Sequence, residues 1–312
     1  MPGEPNPSTG PRASGVSGRE TKPVSPTQVS QVSDGEQSRE QARQEFTRRA
    51  AGFRKWKTQE EMQGRAGTQI LLRSARVKPG MQVLDLASGA GDPALALAEM
   101  VGPDGHITAT DLVPEMLVVA EEFARERGLT NLSFQQADAE ALPFPDHSFD
   151  AVTCRLGVMF FPNVQRALGE IRRVLNPGGC AAFLAWGPLE QDLQARIPRE
   201  VLKKYVQALP PAAGAPDARS FATAGTLSIA LRQAGFKNVQ EESPTVPWPW
   251  PGPPEQYWER ERDAGATRRL VERLVPEQRE RVEAEVIESI RQFYDGQQVN
   301  FTAVIVVASG VG

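Results

Sequence analysis

Cysteine and histidine are scarce, with two of each in 312 residues. Two cysteines cannot build a disulfide scaffold or a thiolate zinc cluster. Two histidines, His106 and His147, leave no His-rich metal site, so a metal-independent protein is expected. No apolar run approaches the ~18 residues of a membrane span. The N-terminus lacks the apolar stretch of a secretory signal, which points to the cytoplasm. Positive charge is not in excess: Lys plus Arg is 35 and Asp plus Glu is 39, for a net charge of −4. That balance excludes nucleic-acid binding by bulk charge. Apolar residues make up 40% of the chain, enough for a real core. The length suits one large domain or two small ones, at roughly 100–200 residues each.

The first forty residues contain no aromatic residue, no Leu and no Ile, and are crowded with Pro, Ser and Gly. Such a segment cannot offset its ordering entropy by burial, so 1–40 is expected to be a disordered tail. From Gln41 the pattern turns helical, through Phe46, Phe53, Trp56 and Met62 to Ile70. Arg48, Arg49, Arg54, Lys55 and Lys57 make its first part basic, which fits either a solvated face or a lid over a pocket.

Strands and helices then alternate. Short apolar runs at 81–87, 105–111, 132–138, 149–156 and 180–186 read as buried strands. Helical patterns occupy 92–101, 113–128 and 164–175, with Pro93 and Pro114 in first turns and Gly128 as a stop. The rhythm implies a mainly parallel sheet with helices on both faces. It breaks after Trp186, resumes with a helix at 226–236 and a strand from Lys237, and ends in a strand at 299–309. Between these lies an insertion at 247–298, opening with PWPWPGPP and continuing as charged amphipathic helices.

The strand–turn–helix VLDLASGAGDPA (83–94) carries the chemistry. Gly89 and Gly91 stand where a strand must turn sharply into a helix, and without Cβ atoms they let a ligand approach the backbone. With Ala94 they match a dinucleotide fingerprint, so a nicotinamide cofactor must be weighed. Asp111 ends the second strand, where a carboxylate can accept both hydroxyls of an adenosine ribose or serve as a helix cap. Asp85 lies inside an apolar strand and needs a partner, which the cationic amino end of a ligand would supply. Asp138 ends the third strand, placed to accept from an adenine amino group beside Ala139. Three acids at successive strand ends suit a ligand with an amino group, a ribose and an adenine. They suit a pyrophosphate poorly, because Asp85 would repel it.

The segments VLDLASGAGD, TDLVPEML, QADAEALPFPDHSFD and EIRRVLNPGG together resemble the class I S-adenosylmethionine-dependent methyltransferases, closest to the ubiquinone/menaquinone C-methyltransferase-like group. The likeness covers 79–187. It implies a Rossmann-like, doubly wound α/β fold, with a seven-stranded sheet whose last strand is reversed and with helical cap insertions. The acceptor pocket is expected at the C-terminal strand ends, so 41–312 is expected to divide into a cofactor-binding core at 79–187 and a substrate cap formed by 41–72, 187–222 and 247–298. By position, Asp85 and the Ala87–Ser88–Gly89–Gly91 turn would hold the methionine moiety. Asp111 would hold the ribose, with Leu112 and Met116 beside the adenine. Asp138 and Ala139 would face the adenine, and Arg155 would sit beside the methyl-donor pocket. S-adenosylmethionine is the cofactor so implied, and a small apolar or aromatic, quinone-like molecule the acceptor.

Two departures fall on the acceptor side: CRLGVMFFPNV after the fourth strand, and the 247–298 insertion. Ala87 also stands where many class I members have Gly. No general base is named, since His106 and His147 sit at strand beginnings, away from the expected site. Trp248 and Trp250 fit a rigid surface loop or a wall against an apolar substrate. Cys154 and Cys180 read as buried structural thiols. A short-chain reductase would need Lys four residues after a Tyr, but Tyr205, Tyr257 and Tyr294 are followed there by Leu209, Glu261 and Gln298. A non-catalytic, cofactor-binding partner subunit is the other alternative.

Overall fold

Runs rich in Val, Leu, Ile and Ala, closed by Gly or Asp, form the central sheet, because both of its faces are covered and alternation is unnecessary. The computed structural model describes Gly3 and residues 26–207, 217–263 and 267–312. Strands β1 (Gln82–Leu86), β2 (His106–Asp111), β3 (Leu132–Gln136), β4 (Phe149–Arg155) and β5 (Leu175–Trp186) are joined in parallel. Beyond them come β6 (Lys237–Glu242), β7 (Thr245–Pro247) and β8 (Thr302–Val311). The order is β3-β2-β1-β4-β5-β8-β6, with β7 also paired to β8. Strand β8 runs antiparallel to β5, β6 and β7, so the reversed last strand is present. The expected sixth strand is broken at Ser243–Pro244 into β6 and β7. Strand β5 begins five residues before Cys180, within an Asn-Pro-Gly-Gly segment that reads locally as a turn.

One face of the sheet packs against α2 (Ala94–Val101), which shares a cluster with Val83, Ile107 and Ala109. The helix α3 (Pro114–Glu126) buries Met116 and Val119 beside Ala90. The other face carries α4 (Val164–Val174) and α6 (Thr226–Gln233) around Phe183, Leu168 and Leu231.

A single helix, α1, spans Pro26–Ser74. It departs from the expected tail: its residues 35–40 lie on the domain, Ser38 is buried, and Arg39 pairs with Asp138 and Glu140. Their polar composition hid this, because the stabilising partners are about a hundred residues away in sequence. The remainder of the expected tail before Pro26 lies outside the described residues, apart from Gly3.

The segments after the sheet form a second apolar centre. Helices α5 (Leu193–Leu202), α7 (Pro254–Asp263) and α9 (Pro276–Arg291) gather Trp250, Tyr257, Trp258, Val282, Val286 and Ile290 around Trp56 of α1. The short α8 (Arg268–Val271) closes its edge. Trp56 and Tyr257 each meet Trp250 edge-on, with centroids 5.7 Å apart. Burial of side chains this large stabilises by about 1.5–3 kcal/mol each. Among the described residues no helix is long and apolar enough to cross a membrane.

Candidate functional site

The strand ends of β1, β2 and β4 open into a cavity of about 630 Å³, within the range of small-molecule sites. Ala87, Ser88, Gly89, Asp111, Leu112, Met116, Asp138, Ala139 and Arg155 all line it. Asp85 and Gly91 do not.

Asp85 is fully buried, with its carboxylate accepting from Ser88 Oγ and Thr153 Oγ1, each at 2.6 Å. Thr153 is its register partner on β4, and Thr110 Oγ1 donates to its backbone carbonyl at 3.1 Å. Two hydroxyl donors thus stand where a ligand cation was expected. Burial, only partly offset by these donors, pushes its pKa up from 3.8 to about 7. Gly91, at φ +94°, lies against α3, where an added Cβ would come within 3.0 Å of the Ala120 Cβ.

The turn itself is tightly held. Ser88 N donates to Thr110 O at 2.9 Å and Gly91 N to Ser88 O at 2.8 Å. Gly89 takes φ +53°, and Ala87 sits at +52°, a region most side chains avoid. Asp111 fixes this turn from the next strand. Its Oδ2 accepts from Gly89 N at 2.8 Å and its Oδ1 from Val113 N at 2.9 Å. The helix-cap reading of Asp111 is not realised, since Val113 is the N-cap of α3 and the helix receives no side-chain cap; a carboxylate has about four lone-pair positions, so Asp111 can accept further hydroxyls from the cavity. Burial raises its pKa, opposed by the backbone amides of Val113, Gly89 and Leu112.

Asp138 Oδ1 accepts from Glu140 N at 2.9 Å, and its Oδ2 lies 3.0 Å from Arg39 Nε. Helix α1 thereby reaches the same end of the cavity. At the other side of the turn, Arg155 Nη1 donates to Asp92 Oδ2 at 2.5 Å, and both residues line the cavity. Arg155 Nε is buried without a hydrogen-bond partner, and the guanidinium lies 5.7 Å over the Trp248 ring. Close approach of α1 at Gly64 makes this possible: a Cβ there would lie 1.7 Å from Arg155 Nη2. Asp92 stands in the VLDLASGAGD segment next to Gly91, where the sequence alone gives no sign of its pairing with Arg155. Arg39 had no local signal at all.

The far end of the cavity lies under the second apolar centre. Trp186, Trp248 and Tyr257 line it, whereas Phe46 and Phe53 of α1 line the turn end beside Ala90, Val113 and Met116. Trp186 and Trp248 meet edge-on at 5.0 Å, so Trp248 is a wall, whereas Trp250 belongs to the apolar centre behind it. The basic stretch of α1 is no solvated face throughout. Lys57 is buried and paired with Glu61 at 3.0 Å, and Arg49 lies 5.2 and 5.1 Å from the Phe46 and Phe53 rings. Tyr257 donates its hydroxyl to Gln194 O at 2.7 Å, and burial raises its pKa well above the ordinary value.

Neither histidine is near. His147 Nδ1 contacts Leu175 O at 2.8 Å, and His106 Nε2 contacts Ser133 Oγ at 2.9 Å, both at strand beginnings. Cys154 and Cys180 are buried free thiols with raised pKa values.

The family model that matches this chain is that of the ubiE/COQ5 methyltransferase family, over residues 62–247. The match stops at the edge of the 247–298 insertion. A ubiquinone/menaquinone biosynthesis C-methyltransferase of Shewanella pealeana is 38% identical over 130 residues, 41% of this chain and 52% of that one. An uncharacterised protein of Mycobacterium tuberculosis is 42% identical over 117 residues, 38% of this chain and 41% of that one. The matched segment thus spans about half the length of these curated relatives. Among solved structures, the YcgJ protein of Bacillus subtilis is similar in fold, with 22% identity and a TM-score of 0.51 over 79% of this chain and 98% of that one. A protein of Bacillus halodurans, described as a putative methyltransferase, has 23% identity and a TM-score of 0.50 over the same shares.

Proposed function

We propose a function from one premise: this chain belongs to the ubiE/COQ5 methyltransferase family. The protein transfers a methyl group from S-adenosylmethionine to a small aromatic or apolar, quinone-like acceptor. The observation that carries this reading is one continuous cavity, with the glycine turn, Asp111 and Asp138 at one end and an aromatic chamber at the other.

The residues present suit the cofactor. Asp111 has capacity for the ribose hydroxyls, and Asp138 with Ala139 would face the adenine. The Asp92–Arg155 pair offers a carboxylate and a guanidinium with an unpartnered Nε to a zwitterionic amino-acid end. Asp85 acts at one remove, holding Ser88 and so the turn. When bound, the cofactor supplies an electrophilic methyl group. The chain's own contribution is alignment and exclusion of water, and positioning is worth up to ~7–11 kcal/mol. Tyr257 holds its proton and both histidines lie at the far end of the sheet, so none of these is the base; the carboxylates lining the cavity, among them Asp192, Glu60 and Glu261, are held in ion pairs.

Calorimetric titration with S-adenosylhomocysteine tests the reading, with wild type against Asp111→Ala and with NAD as control. Binding that weakens by at least about a hundredfold in the variant is expected, since each hydrogen bond to a charged group is worth ~1.5–3 kcal/mol. Binding of NAD in preference would overturn it.

A further inference from the structure

Around the aromatic chamber, charged side chains mostly answer one another. Arg219 holds Asp192 and donates to Gly187 O at 2.7 Å. Arg260 holds Glu60 at 2.8 Å and Glu261 at 2.5 Å, and Glu261 also accepts from Thr267 at 2.6 Å.

Arg199 of α5 differs. It lines the same cavity and is half-buried. Among the described residues nothing accepts from its guanidinium. The charges that face it are Arg219, which repels it, and Asp192 and Glu261, which are already committed to other partners. Burial together with Arg219 lowers its pKa. Arginine still remains protonated in proteins, so the cation stays. A cation that lines a cavity without a counter-ion of its own draws an anionic ligand to it. A neutral ring does not supply the counter-ion. A carboxylate does, because the guanidinium fork matches its two oxygens.

We propose that Arg199 anchors an oxyanion on the methyl acceptor, so that the acceptor is an aromatic acid rather than a neutral quinone-like ring. This rests on the methyl-transfer reading and narrows its substrate class. The ring lies against Trp186 and Trp248, and the acid group reaches α5. Carboxylate and phosphate share this chemistry, and the test separates them.

The experiment titrates the intact protein, with and without S-adenosylhomocysteine, with benzoate, phenyl phosphate and the neutral benzamide. Wild type is compared with Arg199→Gln and Arg199→Lys. The expected result is that benzoate binds roughly tenfold or more tightly than benzamide, and that Arg199→Gln abolishes the preference while Arg199→Lys keeps part of it. S-adenosylhomocysteine binding stays unchanged in both variants, which also reports that they fold. Stronger binding of phenyl phosphate than of benzoate would support the anchor and assign a phosphate. Equal binding of benzoate and benzamide overturns the anchor, as does a preference surviving in Arg199→Gln or no binding of either anion at millimolar concentration. Arg199-dependent benzoate binding without S-adenosylhomocysteine binding would overturn the methyltransferase reading and leave the anchor standing.

Discussion

The two ends of the cavity are held by different means. At the turn end, backbone amides, glycines and hydroxyls fix each group within a few residues of a strand terminus, as with Asp111 on Gly89 and Val113. At the aromatic end, side chains from α1, α5 and α7 meet across some two hundred residues of sequence, as in Arg260 on Glu60 and Lys55 on Glu259. The first arrangement is local and can be encoded in a short motif. The second depends on tertiary packing and can vary without disturbing the first. The family match includes the turn together with α5 and Trp186 of the aromatic end, and stops before the insertion.

The comparison can be broken most forcefully at Trp258, which is buried in the second apolar centre. Trp258→Ala should cost about 3–5 kcal/mol in urea unfolding monitored by fluorescence. Affinity for S-adenosylhomocysteine should change less than about threefold where the protein remains folded, because the variant touches no group at the turn. A parallel loss of affinity would mean that the two ends form one energetic unit.

Asp85 gives the next largest effect. Its carboxyl keeps its proton to about pH 7 when folded but ionises near 3.8 when unfolded. Between these values the folded state binds more protons, so this group makes stability fall as pH rises. Asp92 and Arg155 are the charges facing it, acting in opposite directions. Asp85→Asn should flatten the stability profile between about pH 4 and 7 and leave the variant relatively more stable at alkaline pH. An unchanged slope in denaturation across that range would show that Asp85 is not the titrating group.

Gly64→Ala sharpens the boundary between the ends. Alanine in a helix interior normally stabilises by roughly 0.5–1 kcal/mol over glycine. Here the new methyl would displace the Arg155 guanidinium from Asp92. A loss of S-adenosylhomocysteine affinity of about fivefold to twentyfold is expected without loss of helicity, consistent with one disturbed charge-assisted contact. The smallest effect belongs to Arg39→Ala. The Arg39–Asp138 pair is a quarter to a third exposed, where ion pairs are worth ~0–1 kcal/mol. Affinity should fall less than about fivefold, measured by the same titration.

The same division explains what could be read in advance. The alternating rhythm from β1 to β5 and the gathering of Gly89, Asp111 and Asp138 follow from apolar runs and turn residues that act locally, whereas the reversed β8 and the places of Ala87 and Arg155 are legible only through the family resemblance. The environment of Asp85 could not be read. Its second hydroxyl donor, Thr153, is a neighbour only through the β1–β4 register. The packing of residues 35–40 was likewise hidden, because Arg39 finds its acids beyond β3. Arg199 could not be singled out either, since it stands apart only through the absence of a partner in the folded chain.

A crystal structure with S-adenosylhomocysteine tests the account most directly. The account predicts the ligand across the Ala87–Gly89 turn, with ribose hydroxyls on Asp111, adenine beside Asp138 and Ala139, and the amino-acid end at Asp92 and Arg155. Asp85 should remain turned inward on Ser88 and Thr153. A ligand bound elsewhere, or an Asp85 carboxylate swung out to meet the amino group, would contradict it.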